Sequence, residues 1–111
     1  PWYPPAAIND IGYHIKRYEP GSGYFNEHID VLCPNTARRT VVVQFYLNTV
    51  EEGGETEFTE LGIKCPPVRG RCLMFPAFFL YPHAGHVPIS GPKYITNIFV
   101  GYDMNDMTAP N

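Results

Sequence analysis

At 111 residues the chain has room for one hydrophobic core and not for two, so residues 1–111 are expected to form a single domain. A net charge of −3, with only 17% of residues charged, offers no basic face to nucleic acid or to an anionic membrane surface. The longest apolar run, Cys72–Tyr81, is broken by Pro76 and too short to cross a bilayer, and no charged-then-apolar leader stands at the start, so neither a membrane span nor a secretory signal is expected.

Aromatic residues make up 14% of the chain, and 10 Gly and 12 Pro supply turns, a composition suited to a β-rich fold. Cys33, Cys65 and Cys72 make an odd count at spacings that define no metal motif. They read as free thiols of a reducing compartment, which makes the cytoplasm the expected location.

Residues 1–10 are too rich in proline for a helix or an inner strand. They are expected to form an N-terminal arm whose Trp2 and Tyr3 pack over an open edge or face. Ile11–Tyr18 alternates, with Ile11, Tyr13 and Ile15 on one side and His14 and Lys16 on the other, and predicts a first strand in which His14 is a surface histidine. Gly21 and Gly23 set a tight turn. Phe25, Ile29 and Val31 then alternate with Asn26, His28 and Asp30, predicting a second strand with one apolar and one polar face.

After a loop at Cys33–Arg38, Arg39–Asn48 is rich in β-branched and aromatic residues, and its near-continuous apolarity predicts a strand buried on both faces. Gln44 interrupts it on the side of Val42 and Tyr46, either as a satisfied core residue or as the lining of a cavity. A Gly53-Gly54 turn leads to a short strand ending at Phe58, and Glu51, Glu52, Glu55 and Glu57 read as a solvated rim. Short strands near Leu61–Cys65 and Arg71–Phe75 flank a turn at Pro66–Gly70. Tyr81–Val87 and Lys93–Tyr102 are the last two strands, and residues 103–111 form a polar tail. About eight short strands with no helical period predict an all-β fold, a sandwich or barrel of jelly-roll type with two sheets.

His28 and Asp30 lie one residue apart. On a helix they would point about 200° apart; on a strand they leave the same face, roughly 6–7 Å apart at Cα. An inward polar face of this kind needs something to satisfy it, such as a metal. His83 can complete a set of two histidines and one carboxylate, which leaves coordination positions open and suits non-haem Fe(II) oxygen chemistry. His86, three residues on, faces the opposite side of a regular strand, but a bulge at Gly85 would reverse that. Lys93 starts an apolar strand with Ile95, Asn97 and Phe99 on its own side, a costly place for a cation without an anionic partner such as the carboxylate of an organic acid.

In order, the chain carries Tyr-x-x-Gly from Tyr18, His-x-Asp at His28, Arg39, Tyr-Leu-Asn from Tyr46, Gly-Gly-Glu-Thr-x-Phe from Gly53, His-Ala-Gly from His83 and Gly-x-Lys-Tyr from Gly91. This ordered set, spanning about Tyr18 to Tyr102, resembles the 2-oxoglutarate- and Fe(II)-dependent dioxygenases, and among them the prolyl 4-hydroxylase-like branch. The resemblance implies a double-stranded β-helix (jelly roll). It makes His28, Asp30 and His83 the catalytic iron ligands, gives Lys93 the distal carboxylate of 2-oxoglutarate, and has Tyr18 and Tyr46 line or hydrogen-bond that cosubstrate. Arg39, near the mouth, and His86, at the rim, are implied substrate contacts.

The implied activity consumes O2 and 2-oxoglutarate, releases succinate and CO2, and hydroxylates a prolyl or other residue of a peptide or protein. A small metabolite is the alternative substrate, and a non-catalytic jelly-roll binding module that keeps the metal face is the alternative function. Family catalytic domains brace one sheet with helices for which this chain shows no pattern, so self-association over an open sheet is a further expectation.

Overall fold

The computed structural model describes residues 8–31, 38–78 and 80–102. The proposed packing of Trp2 and Tyr3, most of the Cys33–Arg38 loop and the tail from 103 lie outside the described residues. Every regular element among them is a strand: β1 (Ile8–Tyr18), β2 (Phe25–His28), β3 (Arg39–Tyr46), β4 (Thr56–Phe58), β5 (Ile63–Cys65), β6 (Cys72–Pro76), β7 (His83–Gly85) and β8 (Lys93–Tyr102). They form two antiparallel four-stranded sheets, ordered β1-β8-β3-β6 and β2-β7-β4-β5. This is the expected jelly roll, with eight strands at close to the predicted positions. No helix among the described residues is long and apolar enough to cross a membrane.

The core lies between the sheets. Val42, Phe75 and Phe99 of the larger sheet meet Phe58 of the smaller one, with Ala77 beside them. The Phe58 and Phe75 rings pack edge to face at 4.9 Å. Burying each such side chain contributes roughly 1.5–3 kcal/mol. A polar tie spans the same gap. Gln44 Nε2 donates to Thr56 Oγ1 at 3.0 Å, the Thr56 and Tyr46 hydroxyls bond at 2.5 Å, and Tyr46 donates to the Cys65 carbonyl at 3.1 Å. Because Tyr46 spends its one proton on Cys65, Thr56 donates to Tyr46 and accepts from Gln44, and the chain runs in one direction.

Two expectations are corrected. β3 is fully buried on one face only: Val42, Gln44 and Tyr46 point inward, whereas Val41, Val43 and Phe45 are half-buried. Val43 lies in a row with Tyr13, Ile98 and Met74 across all four strands, and Tyr13 and Met74 are 66% and 70% exposed. The outer face of the larger sheet is therefore apolar and open. Second, β2 is not a regular alternating strand. Phe25 pairs with Gly85 and His28 with His83, three steps against two. The extra residue is a bulge, and it turns Phe25 and His28 to the same side, with ring centroids 4.0 Å apart.

The Gly53-Gly54 turn is a close approach as well as a left-handed turn. Both residues have positive φ, +78° and +76°, and a Cβ on Gly53 would stand 2.4 Å from the Val87 carbonyl oxygen. At Gly70, φ is +83° but a Cβ would meet open space. Gly70→Ala is therefore expected to cost about 1 kcal/mol, the left-handed penalty alone. Gly53→Ala should cost clearly more, on the order of 2–4 kcal/mol, because backbone must also move. Urea midpoints measure the difference, and equal midpoints for the two variants would show that the Gly53 approach is not tight.

Candidate metal and cosubstrate site

The bulge in β2 and the regular pairing of β7 bring the two inward histidines together. β7 runs against β4 without a shift, Thr56 to Gly85, Glu57 to Ala84 and Phe58 to His83. No bulge occurs at Gly85, so His83 faces the interior. His28 ends β2 beside it, with ring centroids 4.2 Å apart. Asp30 lies just past the strand, in a bend, and is buried. It reaches the site by that bend and not by strand alternation.

Each histidine has its tautomer set by the backbone. His28 Nδ1 donates to the Asn26 carbonyl at 2.7 Å and His83 Nδ1 to the Tyr81 carbonyl at 3.0 Å, which leaves both Nε2 atoms as acceptors in the neutral rings. Burial lowers the His28 pKa, outweighing the raising effect of its backbone bond, so the neutral form is favoured. His28 Nε2 is 3.8 Å from Asp30 Oδ1, and His83 Nε2 is 3.3 Å from Oδ2. The three candidate ligand atoms lie within 4.8 Å of one another.

Asp30 Oδ2 is buried and accepts no hydrogen bond. Two lone pairs thus converge on an unpartnered carboxylate, an arrangement that is unfavourable by itself and is resolved by a cation at their common point. Two imidazoles, one carboxylate and no thiolate fit a divalent first-row metal such as Fe(II).

A cavity of about 170 Å³ opens from this cluster. At its floor Lys93 is only 1% exposed. Its amine donates to the Gly54 carbonyl at 3.0 Å and lies 4.6 Å over the Tyr18 ring. Burial pushes its pKa down to about 8, with only Glu55 opposing. Because the unfolded chain holds that proton up to its ordinary pKa of 10.5, the buried cation lowers stability below pH 8, and this penalty fades as pH rises from 8 towards 10.5. A bound carboxylate would remove it. Gly85 keeps space free there, since a Cβ would lie 3.5 Å from the amine.

The other sequence candidates divide. Tyr18 and Arg39 line the cavity with the triad and Lys93. Arg39 donates to the Asp30 carbonyl at 3.1 Å and its guanidinium lies 3.7 Å over Phe99. Tyr46 is buried but stands outside the lining. Its hydroxyl, its pKa pushed up to about 12 by burial, is held by Thr56 and Cys65, and Thr56 occupies the wall in its place. His86 is also outside the lining, where its Nε2 donates to Glu57 at 2.7 Å on the far side of the smaller sheet. Thr56, Lys16, Asn97 and His14 line the cavity without having been singled out as site residues. His14, exposed as expected, nevertheless meets Phe99 edge-on at 5.6 Å.

Fold and cluster together define a jelly roll whose cavity joins a candidate metal cluster to a buried cation. The sequence model of the 2OG-Fe(II) oxygenase superfamily matches residues 13–101, and the chain belongs to that superfamily. A candidate prolyl 4-hydroxylase of Acanthamoeba polyphaga mimivirus is 31% identical over 108 residues, covering 77% of this chain and 42% of that protein. The viral collagen prolyl hydroxylase of Paramecium bursaria Chlorella virus-1, solved as a 2OG complex, superposes with a TM-score of 0.76 at 29% identity, over 87% of this chain and 62% of that one. A Pseudomonas putida prolyl-4-hydroxylase shares the fold, with a TM-score of 0.68 at 24% identity over 82% and 52% of the two chains. The chain thus spans only about half of the length of these relatives.

The placement of the two neighbouring histidines yields a direct test. His83→Ala should weaken Mn(II) binding, measured by titration calorimetry, by roughly 100-fold or more. His86→Ala should bind metal as the unmodified chain does, because its ring faces Glu57. Loss of metal in His86→Ala instead would place the wrong histidine in the cluster.

Proposed function

We propose that this chain is the catalytic core of an Fe(II)- and 2-oxoglutarate-dependent hydroxylase whose target is a prolyl residue of a peptide or protein. The observation that carries the reading is the union, in one cavity, of an unpartnered His28–Asp30–His83 cluster and a buried lone cation, Lys93. A non-catalytic binding module would have no need of the second element. The prolyl target is supported by the relatives, which are named as prolyl hydroxylases.

In this reading His28, Asp30 and His83 hold the metal, and Lys93 binds the distal carboxylate of 2-oxoglutarate with Tyr18 beneath its amine. Iron, when bound, supplies the O2 chemistry that converts 2-oxoglutarate to succinate and CO2 while a C–H bond becomes C–OH. The protein's share is positional. Phe25, Ile95 and Phe99 line the cavity with apolar surface and exclude water. The backbone-fixed tautomers keep both Nε2 lone pairs directed at the metal position. Arg39, anchored on Asp30 and Phe99, holds a donor face toward the substrate.

A cytoplasmic location is part of the proposal, supported by Cys65 and Cys72, both free as thiols are in a reducing compartment. The proposal also has self-association cover the open row of Tyr13, Ile98, Val43 and Met74.

The test is O2- and 2-oxoglutarate-dependent succinate formation across a panel of proline-containing peptides. Lys93→Ala should raise the KM for 2-oxoglutarate about 30-fold or more, the equivalent of about 2 kcal/mol, while metal stays bound. Only the protonated amine attracts the carboxylate. In the unmodified protein, cosubstrate affinity should therefore fall as pH rises through about 8, by up to tenfold per pH unit, and Lys93→Ala should show no such slope. An unchanged KM in Lys93→Ala would put the anion site elsewhere.

A further inference from the structure

The cavity holds more positive charge than the proposed cosubstrate uses. Lys16 and Arg39 line it together with Lys93, and Asp30 is the one carboxylate among the lining residues. Lys16 sits on β1 between His14 and Tyr18, on their face of the strand, opposite Ile95 of β8. From there its amine reaches to 4.5 Å above the ring of Phe25, which belongs to the other sheet. Arg39 lies over Phe99 in the same manner. Both cations are half-buried, whereas Lys93 is fully enclosed, which places Lys16 and Arg39 toward the open end.

Among the described residues no carboxylate lies within ion-pairing distance of Lys16 or Arg39. In sequence, residues 32–37, just ahead of Arg38 and Arg39, read Leu-Cys-Pro-Asn-Thr-Ala and contain no acid. Burial lowers the pKa of Lys16; Asp30 opposes that shift and the nearby Arg39 adds to it. The aromatic rings hold each cation from one side, but a ring face does not neutralise it.

The inference rests on the hydroxylase reading, in which the charges of metal and cosubstrate leave these two cations over. With metal and 2-oxoglutarate in place, the divalent ion and Lys93 are balanced by Asp30 and the two carboxylates of the cosubstrate. Among the described residues Lys16 and Arg39 remain unmatched beside the space left for the substrate. Two like charges, partly desolvated and fixed by separate aromatic rings, favour an anion between them.

We propose that Lys16 and Arg39 form an anion subsite that selects substrates carrying a carboxylate next to the carbon to be hydroxylated. The carboxylate can come from an acidic residue flanking proline in a peptide or from the α-carboxylate of a free imino acid. Lys16 is then a specificity residue that touches substrate, and Arg39 supplies the planar fork that fixes the orientation of the carboxylate.

Binding to the Mn(II)- and 2-oxoglutarate-loaded chain, followed by calorimetry, tests this without requiring turnover. The probes are acetylated and amidated alanine tetrapeptides containing one proline with Glu before or after it, their Gln counterparts, free L-proline and L-prolinamide. An acidic probe should bind about tenfold tighter than its neutral counterpart, with the gap shrinking as salt is raised. A gap in the Glu/Gln pairs identifies a peptide acid, and a gap between proline and prolinamide identifies the α-carboxylate. Lys16→Met, which keeps the apolar stem over Phe25, should close the gap. Lys16→Glu should reverse it in favour of a Lys-flanked peptide, and Arg39→Gln gives the same readout if either Lys16 variant fails to fold.

Equal binding of acidic and neutral probes, or no binding of any acidic probe, overturns the proposal. So does a Lys16→Met variant that keeps the acidic preference but loses affinity for 2-oxoglutarate, since the amine would then serve the cosubstrate. Succinate formation measured in parallel separates the two readings. Turnover without acidic preference removes the subsite alone, whereas acidic preference without turnover on any probe removes the hydroxylase and leaves the subsite standing.

Discussion

Charge placed out of water without an opposite charge is among the least favourable arrangements a small fold can hold. This fold holds two such charges in one cavity: the Asp30 carboxylate, with an oxygen that accepts nothing, and the Lys93 amine, whose one hydrogen-bond acceptor is a backbone carbonyl. They are separate problems with separate solutions. Asp30 stands against two imidazoles that present lone pairs, so a cation would complete it. Lys93 lies over the Tyr18 ring and lines the cavity beside Ile95 and Phe99, so an anion would complete it. In the proposed reading, one dicarboxylate cosubstrate would answer both at once.

The surrounding structure makes those positions affordable. The Phe58–Phe75–Phe99 core and the Gln44–Thr56–Tyr46 tie clamp the two sheets face to face, so the residues projecting between them have little freedom to rearrange. The Gly53-Gly54 turn carries the carbonyl that receives Lys93, which links a turn with no room for a side chain at Gly53 to the cavity floor. A turn that only glycine can form and a buried charge thus meet at the same place, as they do where a site is preorganised.

Much of this was legible in the sequence, though not always for the geometric reason first given. The strand positions follow from alternation and turn residues, and the inward side of β8 from alternation alone: Lys93, Ile95, Asn97 and Phe99 all line the cavity as that pattern implies. His28 and Asp30 converge as expected, but through a bulge and a bend, which no periodicity in Phe25–Val31 reveals. Tyr46 shows the limit of parity. Alternation says that its ring points inward but not that Thr56 stands between its hydroxyl and the cavity. β1 shows another. Tyr13 and Ile15 look like its core side, yet they are exposed, while His14, Lys16 and Tyr18 face the cavity, because the interior here is a polar site and the outer face of the sheet is open. Hydrophobicity identifies a buried face only where burial is what that face is for.

The central claim is that the metal cluster and Lys93 serve one ligand. Titrating 2-oxoglutarate into the chain with and without Mn(II), in the absence of any other substrate, tests it most directly. One shared site predicts strong synergy, with 2-oxoglutarate binding at least about tenfold tighter to the metal-loaded protein and Mn(II) gaining the same factor from 2-oxoglutarate, as linkage requires. Equal affinities with and without metal would show two independent sites and contradict the account.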